Sequence, residues 1–209
     1  MTKVITFANV KGGTGKSTLC VNVAAQLAQL GHSVSVYDAD HQNSTFDWIC
    51  GSKDANLSQV NCISPKENDD FKKILGKDDQ NYLLIDTQGS LTKELAEYLS
   101  YSDLVLAPCR VSRDDVVGLG WIQLFLEKSK KPESKAVLLG VLNCVNKRSS
   151  IFIHIKDQLE KEGTLIAKTS ITQRVAFSET NVNKRSVLGY NKLAAVEIAD
   201  LTNEIVSHT

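Results

Sequence analysis

Short runs of apolar, mostly β-branched residues alternate along the whole chain with longer segments whose apolar positions recur at helical spacing. That alternation is the mark of βαβ units and a mostly parallel sheet. The runs predict strands over residues 4–8, 33–37, 59–63, 82–85, 104–107, 136–142 and 165–169. Helical periodicity is best marked over 16–30, 114–128, 151–162 and 191–206, and Gly31 closes the first of these as a residue suited to the left-handed position after a last helical turn. The fold class is α/β, a doubly wound, mostly parallel sheet of about seven strands with helices on both faces. The length of 209 residues suits a single domain spanning 1–209.

Composition narrows the function classes. Lys and Arg together number 24 and so do Asp and Glu, giving a formal charge of zero. A chain that coats nucleic acid through bulk positive charge is thereby excluded, and any contact with DNA must be a local patch, doubled if the protein pairs. The five cysteines, Cys20, Cys50, Cys62, Cys109 and Cys144, are scattered without a CxxC pair, which reads as reduced, mostly buried thiols. The first strand begins almost at Met1, with no charged and apolar leader before it, and the longest nearly continuous apolar stretch, 136–145, is about half of what a bilayer span needs. A cytoplasmic protein is expected. The charged stretches 66–73 and 127–135 read as solvated surface.

The densest chemistry lies in Asn9-Val10-Lys11-Gly12-Gly13-Thr14-Gly15-Lys16-Ser17-Thr18, directly after the first strand and opening the first helix. Glycines at 12, 13 and 15 allow successive backbone N–H groups to turn inward as an anion nest, and the helix N-terminus adds its positive end. At these offsets Lys16 is placed to reach the β- and γ-phosphates, the Ser17 hydroxyl to ligate Mg²⁺, and the Thr18 hydroxyl to donate to the α-phosphate. This is a phosphate loop of the P-loop NTPase kind, but Val10 stands where that motif has its first glycine, and an additional lysine, Lys11, follows it.

Lys-Gly-Gly-Thr-Gly-Lys-Ser-Thr resembles the deviant Walker A motif of the ParA/MinD superfamily, whose signature residue is the first lysine. Asp38-Ala39-Asp40-His41-Gln42 resembles that family's aspartate-rich segment, with His41 where proline is usual, and Leu83-Leu84-Ile85-Asp86-Thr87 resembles its Walker B, with Gln88-Gly89 in place of prolines. Ile171-x-Gln-Arg-Val-Ala-Phe and the last helix resemble the closing elements of small ParA partitioning proteins, those without an N-terminal helix-turn-helix. The likeness spans nearly the full chain.

The resemblance implies a slow, partner-stimulated ATPase that acts as a switch. ATP and Mg²⁺ are the implied cofactors, bound by Lys11, Gly12, Gly13, Thr14, Gly15, Lys16, Ser17, Thr18 and, at the adenine, Asn143. Asp86 and Asp38 would join Ser17 in the metal shell. Asp40 would position the attacking water, and Lys11 would cross to the nucleotide of a second subunit in a homodimer. Asn146-Lys147-Arg148-Ser149 lacks the carboxylate that would pair with guanine, which favours ATP over GTP. For Asp38 and Asp40 the competing reading is capping of a short helix beginning near Ser44.

The same resemblance implies non-specific double-stranded DNA binding by the ATP dimer, with Lys147, Arg148, Arg174, Lys184, Arg185 and Lys192 as candidates, nucleoid association, and an adaptor or centromere-binding protein that stimulates hydrolysis and links plasmid or other cargo. The closing helix carries acids where a membrane-binding tail would carry lysines, so no membrane partner is expected. The competing class is a metabolic enzyme similar to dethiobiotin synthetase, acting on a small carboxylate without DNA.

Overall fold

The computed structural model describes residues 2–64, 71–76, 79–132, 134 and 136–209. Six strands, β1 (Lys3–Phe7), β2 (Val34–Asp38), β3 (Asn61–Ile63), β4 (Tyr82–Asp86), β5 (Leu104–Cys109) and β6 (Val137–Leu142), form one sheet in the order β3-β2-β4-β1-β5-β6. Every pairing is parallel. Among the described residues the helices are α1 (Lys16–Gln29), α2 (Ser44–Cys50), α3 (Phe71–Leu75), α4 (Lys93–Tyr101), α5 (Arg113–Ser129), α6 (Ser150–Lys161), α7 (Val175–Val182) and α8 (Lys192–His208), with a 3₁₀ turn at Leu57–Gln59.

Strand residues alternate between two cores, which is why they read as continuous apolar runs. On one face Ile5, Phe7, Val34, Val36, Leu84, Leu104, Leu106 and Val141 pack against α1, α2 and α8 through Leu19, Val23, Leu27, Trp48, Ile198, Leu201 and Ile205. On the other, Ala8, Val105, Ala107, Leu138 and Leu142 meet Leu95 and Leu99 of α4, Leu119, Ile122 and Leu126 of α5 and Ile155 and Leu159 of α6. Val4, Tyr37, Leu83 and Ile85 extend that second face against Phe71 and Tyr98. Each fully buried Leu or Ile in these layers contributes about 1.5–3 kcal/mol of transfer free energy.

Local signals explain where the helices start and stop. The hydroxyls of Thr92, Ser112 and Ser149 and the Asn191 side chain accept from the backbone N–H three residues on, capping α4, α5, α6 and α8. After α1, Gly31 takes φ 87°, its N–H donates to the Ala28 carbonyl at 2.9 Å, and the His32 N–H donates to that of Leu27 at 3.1 Å. This is the paired closure expected at such a glycine.

The predicted seventh strand, 165–169, is a correction. That segment runs beside β6, with the Gly140 N–H donating to the Leu165 carbonyl and the Ala167 N–H to that of Gly140, yet it forms only one isolated bridge, between Ile166 and Gly140. The apolar run is there, but after Ala167 the chain is tethered by Glu204, whose carboxylate accepts from the N–H groups of Lys168 and Thr169, each at 2.7 Å. A side chain there takes the donors a strand ladder would use. Helices α4 and α7 were not marked by periodicity. Residues 66–70, 133 and 135 of the two charged stretches lie outside the described residues.

Candidate functional site

The carboxyl ends of all six parallel strands lie at one edge of the sheet, on the side of the first loop, the β2–α2 loop, the end of β4 and the β5–α5 loop. Open α/β sheets bind ligands at this edge because helix N-termini and loops, rather than paired strands, face the crevice. The loop between β1 and α1 is pinned there from several sides. Asn9 is fully buried, its Nδ2 donating to the Pro108 carbonyl at 2.6 Å and its Oδ1 accepting from the Lys11 N–H at 3.0 Å. Asn143, also buried, donates through Nδ2 to the Thr14 carbonyl at 2.7 Å.

Two glycines make this packing possible. Gly15 sits at φ 99°, and a Cβ there would fall 2.2 Å from Asn143 Nδ2. At Gly89 a Cβ would lie 2.7 Å from the Lys11 carbonyl carbon and 2.8 Å from the Gly12 nitrogen. Each position excludes a side chain, the first by conformation and space and the second by space alone. The Gln88-Gly89 departure from the expected prolines thus has a structural cause: the loop after β4 rests directly on the phosphate-loop backbone.

Inside the cradle, Lys16 is buried and its ammonium donates to the Lys11 carbonyl at 3.2 Å. Burial lowers its pKa, and the nearby carboxylates of Asp86 and Asp40 offset that only in part. Asp86 is buried at the end of β4. Its Oδ2 accepts from Thr45 Oγ1 at 2.6 Å, and the nearby Ser17 hydroxyl favours its charged form. Burial pushes its carboxyl up to about 6 despite both hydroxyls, with Asp38 adding like charge.

Two buried polar atoms here, Asp86 Oδ1 and Thr14 Oγ1, have no hydrogen-bond partner. A buried oxygen left unpaired costs about 1–3 kcal/mol, so a group that satisfies it is favoured. An ionised carboxylate crowded by a second one and facing a hydroxyl is the donor set a hard divalent cation takes, and the Ser17–Asp86 arrangement fits Mg²⁺ on that ground.

Asp38 serves a second purpose. Its Oδ2 accepts from the Phe46 N–H at 2.8 Å and its Oδ1 from the Asp40 N–H at 3.1 Å, so it caps α2 from outside that helix while Asn43, in the left-handed region, makes no side-chain cap. Burial raises its pKa, and these backbone donors counter that only partly. Asp40 is half-buried, and its Oδ1 accepts from the Gln42 N–H at 3.0 Å. Thr18, on the first turn of α1, accepts at its carbonyl from Asn22 Nδ2 at 2.7 Å.

On the rim, Gly12 and Gly13 are exposed and the Lys11 ammonium lies 3.3 Å from Asp114 Oδ2 and 4.0 Å from Asp115 Oδ1. Arg110, just beyond β5, donates from its guanidinium to the Gly13 carbonyl. Sequence reasoning assigned no role to Asn9, Thr45, Gly89, Arg110, Asp114 or Asp115, although Asn9 and Gly89 lie in the motifs it quoted. Only Gly89 and Asp114-Asp115 carried a local signal, a glycine straight after the second aspartate motif and an acidic first helical turn.

Six basic candidates were proposed for DNA, and the structure separates them. Lys147 Nζ lies 2.8 Å and Arg174 NH2 3.4 Å from Glu197 Oε1, and the Thr172 hydroxyl and N–H donate to the same carboxylate at 2.6 and 3.0 Å. Burial would raise the Glu197 carboxyl, yet the bonds from Lys147 and Thr172 outweigh it and hold it below its usual range. Arg148, Lys184 and Lys192 are exposed. Arg185 is half-buried, its guanidinium 4.9 Å above the Tyr190 ring. Lys184, Arg185 and Lys192 share the segment that runs from α7 into α8.

Residues 5–187 match the CobQ/CobB/MinD/ParA nucleotide binding domain. The chain belongs to this family. Among curated relatives it is 28% identical over 205 residues to the maintenance of carboxysome distribution protein A of Halothiobacillus neapolitanus, covering 95% of this chain and 94% of that protein. It is also 28% identical over 207 residues to protein ParA of Rhizobium radiobacter, covering 94% and 92%. A putative plasmid partition protein of Borrelia burgdorferi, solved bound to AMPPNP, superposes with a TM-score of 0.79 at 19% identity over 100% of both chains, a likeness of fold. Among the described residues no helix is long and apolar enough to cross a membrane.

Proposed function

We propose that this ParA/MinD-type protein is a nucleotide-driven positioning switch: an ATPase whose ATP-bound form is a homodimer that binds DNA without sequence preference and moves cargo through an adaptor protein. The observation that carries the nucleotide reading is the glycine-lined loop with a buried, partly desolvated Lys16 and two buried oxygens, Thr14 Oγ1 and Asp86 Oδ1, that have no hydrogen-bond partner. Positioning and partition are what the names of the relatives suggest, and the AMPPNP in the Borrelia protein suggests the ligand.

Each residue then has a task. The N–H groups of residues 12–18 would grip the phosphates, and Lys16, its pKa lowered by burial, would supply positive charge to the β- and γ-phosphates in a low-dielectric cradle that strengthens the attraction. Ser17 supplies a hydroxyl ligand, and Asp86 orients the shell around the cation. Bound Mg²⁺ neutralises charge that builds on the phosphates during transfer. Asp40, from the loop after β2, holds the attacking water in line, while Asp38 fixes that loop by capping α2. Lys11 leaves Asp114 and Asp115 and reaches the second subunit. Asn143, already bonded to Thr14, supports the loop's shape as well as facing the base.

For DNA the candidates not engaged by Glu197 are the exposed Arg148, Lys184 and Lys192, with the half-buried Arg185. Calorimetry with Mg-AMPPNP and co-sedimentation with random duplex DNA under ATP, ADP and no nucleotide test the proposal together. Heat from nucleotide binding and ATP-dependent DNA binding are expected, and Lys184→Ala is expected to reduce the salt slope of log affinity by about 1. Correctly folded protein that gives no nucleotide heat sinks the switch. DNA binding indifferent to both nucleotide and salt removes DNA as the track.

A further inference from the structure

We propose that Arg110 is a second cation delivered across the subunit interface, contacting the phosphates of the partner subunit's nucleotide alongside Lys11. This rests on the reading that two copies pair about nucleotide. A cradle whose amide N–H groups point inward at the phosphates turns its carbonyl oxygens outward. The Arg110 guanidinium is bonded to one of those oxygens, that of Gly13, so it stands outside its own cradle and away from its own phosphates. Arg110, Gly12 and Gly13 are all exposed, which makes this rim available to whatever faces it.

The two rim cations differ in their commitments. Lys11 is held by Asp114 and Asp115, whereas among the described residues Arg110 has no ion pair and engages one backbone carbonyl. A guanidinium has five donors in a rigid fork that matches phosphate geometry. One neutral acceptor leaves most of that capacity unused. Two-fold pairing sets the same surface of each copy against its twin, so a cation on the outer rim of one phosphate loop is brought toward the nucleotide held in the other. Charge supplied in this way stabilises the transferring phosphoryl group as well as the pair itself.

The test combines sedimentation, ADP binding and subunit mixing, with R110A, R110K, K11A and D40A. Arg110 is exposed, so its replacement leaves the core untouched. For R110A the expected result is an AMPPNP-driven dimer weakened about tenfold or more, with ADP affinity of the monomer within about twofold of wild type; R110K recovers part of the loss. Mixing R110A with D40A is expected to give turnover above the mean of the two measured separately, because the D40A subunit supplies its arginine to the intact site. Equal losses in ADP affinity and dimerisation make Arg110 a strut for its own loop and overturn the proposal, as does an unchanged dimer. If K11A mixed with D40A recovers turnover while R110A mixed with D40A does not, pairing about nucleotide stands and the Arg110 assignment falls. If wild type itself forms no AMPPNP dimer, both fall.

Discussion

Two clusters of charged groups in this chain have opposite architecture. Around Glu197 the carboxylate receives Lys147, Arg174 and two donors from Thr172, so its charge is spent inside the fold, although Arg174 Nε is itself left without a partner. At the phosphate loop, Lys16 is buried against a lone carbonyl, Asp86 is buried with a like charge beside it, and Thr14 Oγ1 and Asp86 Oδ1 go unpaired. A network that is satisfied stabilises the native state, while one left incomplete costs stability and is kept where a ligand completes it. Both are built from charged residues, and the count of partners on each carboxylate tells them apart.

The contrast breaks most sharply under substitution. Lys16→Ala is expected to weaken Mg-AMPPNP binding about 100-fold or more, since the cation aimed at the phosphates is gone, while the melting temperature of the nucleotide-free protein stays level or rises because a desolvated ammonium is removed. Calorimetry and thermal melts on one preparation read both. A folded K16A that binds nucleotide normally would place the phosphates elsewhere. Glu197→Ala should do the reverse, costing about 1–3 kcal/mol of stability by stranding Thr172, Lys147 and Arg174 while leaving nucleotide affinity unchanged. It also frees two of the candidate DNA cations, so a rise in ATP-dependent DNA binding would show that they join the contact and no change would confine it to Arg148, Lys184, Arg185 and Lys192.

Asp86 sharpens the comparison through pH. Its carboxyl is pushed up to about 6 by burial against an ordinary value of 3.8. Between those values the folded protein holds a proton that the unfolded chain has released, so stability falls as pH rises through that window and stays reduced above it. Asp86→Asn is therefore expected to stabilise the nucleotide-free protein at pH 7.5 by about 1–2 kcal/mol and flatten its melting profile between pH 4 and 6, while weakening the Mg²⁺ dependence of nucleotide binding. An unaltered pH profile in D86N would assign the titration to another group.

How much of this was readable in advance follows from the range of each interaction. The phosphate loop, both aspartate segments and four helices with their caps are local: their signals lie within a few residues, and the strands of a two-faced parallel sheet announce themselves as apolar runs. The run at 165–169 carried the same signal and did not become a strand, because Glu204, some thirty-five residues later in the chain, occupies the N–H groups of Lys168 and Thr169. Asp38 was weighed as metal ligand or helix cap, and it does cap α2, from the preceding strand rather than from the N-cap position.

The sequence by itself determined the α/β class, the order of most elements and the presence of an anion cradle opening the first helix, since glycine spacing, hydroxyl offsets and apolar periodicity are properties of neighbours along the chain. Only the tertiary structure decided which charges are free. That Lys147 and Arg174 are consumed by Glu197, that Lys11 rests on α5, and that Arg110 bonds the Gly13 carbonyl depend on residues far apart in sequence and a few ångströms apart in space. Coulomb energy and desolvation follow distance through space, and no local pattern encodes that distance.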